Sequence, residues 1–74
     1  MNLMPNLARL MSRQTLTDRN NITIGYIETL SDGRQRITDK HHITLGYYDP
    51  RSNQTVDQHH VTVGYGNLLT TLLR

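Results

Sequence analysis

Asp39-Lys40-His41-His42-Ile43-Thr44-Leu45-Gly46-Tyr47 decides the fold, because the chain contains it in three versions. An earlier copy reads Asp18-Arg19-Asn20-Asn21-Ile22-Thr23-Ile24-Gly25-Tyr26, and a later one Asp57-Gln58-His59-His60-Val61-Thr62-Val63-Gly64-Tyr65. No copy contains a gap, and the branched aliphatic position recurs after 21 and then 18 residues. Asp followed by three polar residues reads as a turn, since an Asp carboxylate can accept backbone N–H groups just downstream. The aliphatic-Thr-aliphatic-Gly-Tyr run that follows alternates with period two, as a half-buried strand does. One face is then expected to carry Ile22, Ile24 and Tyr26, with Ile43, Leu45, Tyr47 and Val61, Val63, Tyr65 as equivalents. These nine are the expected core.

Upstream of each turn lies a second short alternating piece: Gln14-Thr15-Leu16-Thr17, Gln35-Arg36-Ile37-Thr38 and Gln54-Thr55-Val56. Ser31-Asp32-Gly33 supplies the positive φ of a tight hairpin, and Asp49-Pro50 starts a type I turn. The expectation is an all-β chain of three β-hairpin repeats, in a meander or a small barrel-like or flower-like sheet assembly. The units fall at residues 14–34, 35–53 and 54–66. Residues 1–13 are expected to form an N-terminal arm, where Leu7, Leu10 and Met11 have the spacing of a short helical turn and an irregular or extended course is the close second reading. At residues 67–74, Leu68, Leu69, Leu72 and Leu73 share one side of a short C-terminal helix, with Asn67 as its cap and Arg74 at its end.

Composition narrows the rest. A chain of 74 residues allows one domain and buries only roughly 60% of its unfolded surface. It has no Cys, Phe or Trp, and 35% of its residues are hydrophobic. Disulfides and thiolate metal sites are excluded, and homo-oligomerisation is the leading way to bury more area. The net charge of +2 is spread along the chain and does not demand a nucleic-acid partner. There is no apolar run of membrane-spanning length, and the stretch Met1-Asn2-Leu3-Met4-Pro5 lacks the long apolar run expected of a secretory signal. The default expectation is a soluble, bacterial-type protein of the cytoplasm, without a membrane partner.

Several residues invite chemical readings. His41, His42, His59 and His60 are candidate metal ligands, with Asp39 and Asp57 beside them. Neighbouring strand residues point to opposite faces, however, and the first copy has Asn20-Asn21 in these places; Asn and His both tolerate positive φ. Asp39 could orient His41 or His42 as a base, but no Cys exists and Ser12, Ser31 and Ser52 lie in unrelated contexts. Phosphate-binding glycine motifs are absent, so no enzyme is expected and no cofactor is assigned. Gly25, Gly46 and Gly64 inside strands signal a bulge, a bend or the close approach of another segment. Tyr26, Tyr47 and Tyr65 are candidate stacking sites for a carbohydrate or nucleic acid, which is a less favoured reading than three tyrosines ending the core face.

The segment from Thr38-Asp39 to Gly46-Tyr47-Tyr48-Asp49 resembles the Tyr-Asp repeats of bacterial Rhs-type proteins. The resemblance covers the repeat region and implies a β-repeat scaffold without an active site. It departs in having His or Asn where those repeats carry Gly after the turn Asp, and in having only three units. The functional expectation is a non-enzymatic, self-associating β-repeat protein with a structural or interaction role. The alternative is a ligand-binding module using the repeated Tyr and Asp/His positions, with a His-bound metal in an oligomer.

Overall fold

The computed structural model describes residues 9–73. Six strands, β1 (Leu10–Thr17), β2 (Thr23–Leu30), β3 (Gln35–Asp39), β4 (Thr44–Asp49), β5 (Gln54–Asp57) and β6 (Thr62–Tyr65), form one antiparallel sheet in sequence order. It is an open meander with β1 and β6 at its edges, so the barrel-like closure does not occur. Leu10–Arg13, expected in the arm, are the first half of β1; residues 1–8 lie outside the described residues.

The three Asp turns are the same structure three times. Asn21, His42 and His60 each donate an N–H to the Asp carbonyl three residues earlier, at 2.9–3.0 Å. Each adopts the left-handed conformation, with φ of 62, 66 and 64°. The Asp N–H returns to the carbonyl of Ile22, Ile43 or Val61 at 2.9–3.0 Å. This is a three-residue hairpin loop with a type I turn and a positive-φ residue, which matches the twist of the flanking strands. Each Asp Oδ1 accepts two further N–H groups, from the residues two and four positions on, at 2.8–3.1 Å. The Asp-Gly linker uses the same device, with Gly33 at φ 95° and its N–H on the Leu30 carbonyl at 2.9 Å.

The expected core needs correction. Ile22, Ile43 and Val61 are 58–60% exposed, and Ile24, Val63 and Tyr65 are exposed as well. Two causes act together. First, every hairpin carries a register shift just before its glycine: Thr17 pairs Thr23 but Leu16 pairs Gly25, and the shift recurs at Ile37/Thr38 and Thr55/Val56. The extra residue is Ile24, Leu45 or Val63, and a bulge puts it on the same side as the glycine after it. The alternation therefore slips, and Tyr26 and Tyr47 point to the other face. Second, the face that keeps the aliphatics is only partly covered.

What covers it is the C-terminal segment, which crosses the sheet as a strap. The chain leaves β6 through Gly66 at φ 86°. Thr55 Oγ1 donates to the Gly66 carbonyl at 2.7 Å and accepts the Leu68 N–H at 3.0 Å. Asn67 Nδ2 donates to Gln35 Oε1 at 2.8 Å. The expected short helix over residues 67–74 is a single 3-10 turn, Leu69–Leu72, and Arg74 lies outside the described residues. Leu69 is fully buried. The strap then uses the glycines of the repeat in reverse order. A Cβ on Gly64 would stand 2.8 Å from Leu68 Cδ1, one on Gly46 would collide with Leu72 Cδ1 and the Val56 carbonyl, and one on Gly25 would collide with the Thr38 carbonyl and stand 2.9 Å from Leu73 Cδ2. The three glycines are a groove for leucines. Among the described residues, the buried apolar side chains are Leu30, Ile37 and Leu69.

The third repeat differs in a way its sequence alignment conceals. Thr55, not Val56, occupies the position of Leu16 and Ile37, since each pairs with its repeat's glycine. Exchanging an aliphatic side chain for a hydroxyl there anchors the start of the strap, while Val56 turns to the opposite face.

Candidate functional site

The face opposite the strap carries polar and aromatic side chains in a repeated arrangement. Tyr26 stacks on the His42 ring at 4.6 Å and 7° between planes, and Arg13 lies over Tyr26 at 5.6 Å. One repeat on, Tyr47 is parallel to His60 at 6.2 Å and 5°, with Arg34 at 5.8 Å. The Arg comes from β1 in the first set and from the residue leading into β3 in the second. The His of each set comes from the turn of the next hairpin. The hairpins are thus joined across their boundaries by side chains as well as by the β2–β3 and β4–β5 ladders.

This explains a difference between copies. Asn21 precedes every Tyr of the repeat and has no ring to meet. Tyr65 has no following hairpin and is 71% exposed. At the positive-φ position, histidine stands where a tyrosine of the previous unit faces it, and Asn serves the same turn where none does.

Beside the first set lies a cleft of about 480 Å3 lined by Arg13, Glu28, Arg36, Thr38, His42 and Thr44. A smaller one of about 190 Å3 repeats it with Arg34, Asp49, Gln54, Val56 and His60. Glu28 is almost completely buried in the first, held by Arg13 at 2.8 Å and Arg36 at 2.6 Å. Burial alone would raise its carboxyl, but hydrogen bonds and charge from Arg36 and Arg13 outweigh this and hold it below the usual carboxylate value. The second cleft lacks this ion-pair triad, because Arg34 pairs with Asp32 at 2.8 Å and Asp49 Oδ1 accepts the Arg51 N–H at 2.9 Å. Thr38 Oγ1, buried at the first cleft, has no hydrogen-bond partner among the described residues. Val56 replaces it in the second.

The candidate ligands separate accordingly. His42 and His60 sit on the polar face in stacks; His41 lines the apolar side near Leu72 and Leu73; His59 is exposed. Among the described residues, no three His, Cys, Asp or Glu side chains gather where they could hold one metal ion. Asp39 and Asp57 are engaged in their turns: the N–H groups of Ile43 and Val61 first, then those of His41 and His59, hold both carboxyls below their usual value. Of the three candidate tyrosines, only Tyr65 has a ring outside an Arg–Tyr–His set.

The strap face carries the other surface feature. Beyond the strap, towards the Asp turns, Ile22, Ile24 and Leu45 line an open groove with Leu72 and Leu73. The repeat places Ile43, Val61 and Val63 in the equivalent positions, so three hairpins present three rows of paired aliphatics. Alternation alone marks all six as core; the strap leaves five of them exposed and Leu45 half-buried.

The fold and these two surfaces define a class, an open hairpin-repeat sheet held by a C-terminal strap. Searches against family models, curated proteins and solved structures find no match to this chain. No helix among the described residues is long and apolar enough to cross a membrane, which says nothing of membrane-spanning strands.

Proposed function

We propose that this chain is a non-enzymatic, self-associating β-repeat protein of the cytoplasm with a structural or interaction role. One observation carries the reading. Among the described residues, three large apolar side chains are buried, whereas Leu10, Met11, Ile22, Ile24, Ile43, Val61, Val63 and Tyr65 are exposed. A sheet with one apolar face is stable when that face is covered, and the strap covers only part of it. The resemblance to Tyr-Asp repeats supports the same scaffold reading. The test is native mass spectrometry of untagged protein at micromolar concentration, which reports stoichiometry and bound metal together. A dimer or larger assembly is expected; a monomer at every concentration would refute self-association.

A second reading rests on Thr38. A buried hydroxyl without a partner among the described residues, in a cleft with Glu28, two arginines and His42, suits a small polar ligand such as a sugar hydroxyl. A glycan array with wild type and Thr38→Val tests it. Binding that the substitution abolishes would favour a ligand-binding module, and silence in both arms would remove the reading.

A further inference from the structure

We infer that the first cleft of the polar face binds a small oxyanion, a carboxylate or phosphate group, beside the Arg13–Glu28–Arg36 triad. This rests on the second reading above, in which that cleft holds a small polar ligand, and it names the charge and chemistry of the ligand.

The groups left unused in the cleft point to an anion. Glu28 is the carboxylate of the lining, and it is saturated. Its Oε1 accepts Arg36 Nε at 2.8 Å and Arg36 Nη2 at 2.6 Å. Its Oε2 accepts Arg13 Nε at 3.0 Å and lies 2.8 Å from Arg13 Nη2. A carboxylate offers about four acceptor sites, so a cationic ligand finds none of them open. Donors, in contrast, are in excess. A guanidinium carries more N–H groups than the pair that each Arg gives to Glu28. Arg36 turns a further contact to the Tyr47 hydroxyl, and both Arg side chains stay partly open to solvent. With His42 neutral, two cations against one carboxylate leave the lining positive. An oxyanion balances that charge and accepts from guanidinium and hydroxyl alike.

Thr38 is an independent observation. It is 2% exposed, it lines the cleft, and its Oγ1 has no hydrogen-bond partner among the described residues. Buried hydroxyls in folded proteins are ordinarily bonded, and a ligand oxygen in this cleft supplies the missing partner.

The repeat provides an internal control. Gln54 and Val56 flank Thr55, which pairs with Gly64, as Arg36 and Thr38 flank Ile37, which pairs with Gly46. The second cleft therefore keeps the Tyr–His pair but lacks both the second cation and the hydroxyl, and its Arg34 is held by Asp32. The turn and the stack do not need Arg36 or Thr38, so these residues answer to something particular to the first cleft. That cleft is also the larger, about 480 against 190 Å3, within the range of small-ligand sites.

The test is a titration of the full chain followed by amide NMR at constant ionic strength, with sodium glucuronate, sodium phosphate and glucose. Saturable shifts at Thr38, His42 and Thr44 are expected with at least one of the two anions and not with glucose. The anion that saturates at lower concentration tells carboxylate from phosphate. Arg36→Gln and Thr38→Val, which copy the second cleft, should each weaken binding about tenfold. Thr38→Val removes no charge and leaves no group without its partner, so its far-UV circular dichroism should match wild type even where Arg36→Gln disturbs Glu28. Arg34→Gln, in the second cleft, should leave the affinity unchanged. Glucose binding as tightly as the anions would overturn the oxyanion and leave the second reading standing. Anion binding undiminished in Thr38→Val and Arg36→Gln would overturn this site. No saturable binding of any of the three would overturn both the inference and the reading beneath it.

Discussion

The two faces of the sheet solve the same problem by different means. On the strap face, repeated glycines leave a groove, and the chain's own leucines fill it. On the opposite face, repeated Arg, Tyr and His side chains lie against one another and span the boundary between hairpins. The first device works by excluding water from apolar area, the second by stacking and charge at partly exposed positions. Burial terms exceed exposed stacking terms severalfold. The strap face should therefore dominate stability, and the polar face should set how the hairpins align.

The largest effect should come from Leu69→Ala. Leu69 is fully buried, and truncating such a side chain costs about 3 kcal/mol. A urea melt should show a midpoint well below wild type, and a chain this small has little margin to lose. Gly46→Ala probes the same face from the other side. Its methyl would strike Leu72 and the Val56 carbonyl, and overpacking of this kind costs about 1–3 kcal/mol. Gly64→Ala should cost less, because the methyl meets only the movable tip of Leu68. Equal costs at the two glycines would argue that the strap, not the backbone, sets the tolerance.

Effects on the polar face should be smaller. Glu28→Gln removes the charge that Arg13 and Arg36 share. Their guanidinium groups are partly exposed, which screens the loss, so about 1–2 kcal/mol is expected. The same group makes stability depend on pH. Glu28, Asp39 and Asp57 all have carboxyls lowered in the fold, from ordinary values of 4.5 for Glu and 3.8 for Asp. Their contribution is complete above those ordinary values and is lost as pH falls through the lowered ones. Thermal midpoints should be level from neutral pH to about 5 and fall below about 4, and Glu28→Gln should flatten part of that fall. Smaller again, His42→Asn keeps a residue that tolerates positive φ and removes the ring from Tyr26, a loss of about 0.5 kcal/mol. At His60, where the rings are further apart, the loss should be smaller still.

Much of the fold is legible in the sequence, and the part that is not has a specific cause. The strands, the Asp turns, the positive-φ tolerance at Asn21, His42 and His60, and the Asp-Gly linker all follow from local chemistry. Face assignment does not, because it depends on counting residues in register. One extra residue at Ile24, Leu45 or Val63 reverses every side chain after it, and nothing in an aliphatic-Thr-aliphatic run marks which residue is extra. The glycine beside it is the available signal. Its second role is a long-range fact: Gly25 and Gly46 admit Leu73 and Leu72, which lie far along the chain from them. The Asn-to-His difference between copies is in plain view, yet its cause is a tyrosine in the preceding unit. The stacks come into sight when each turn is compared with the unit before it rather than with the other turns.

The claim on which the account turns is that the expected core of this chain is a core only in an assembly. The most direct test is the thermal midpoint of wild-type protein across a hundredfold range of concentration. Folding coupled to association predicts a midpoint that climbs steadily with concentration. A midpoint independent of concentration would contradict the account, leaving the aliphatic rows as an ordinary exposed surface.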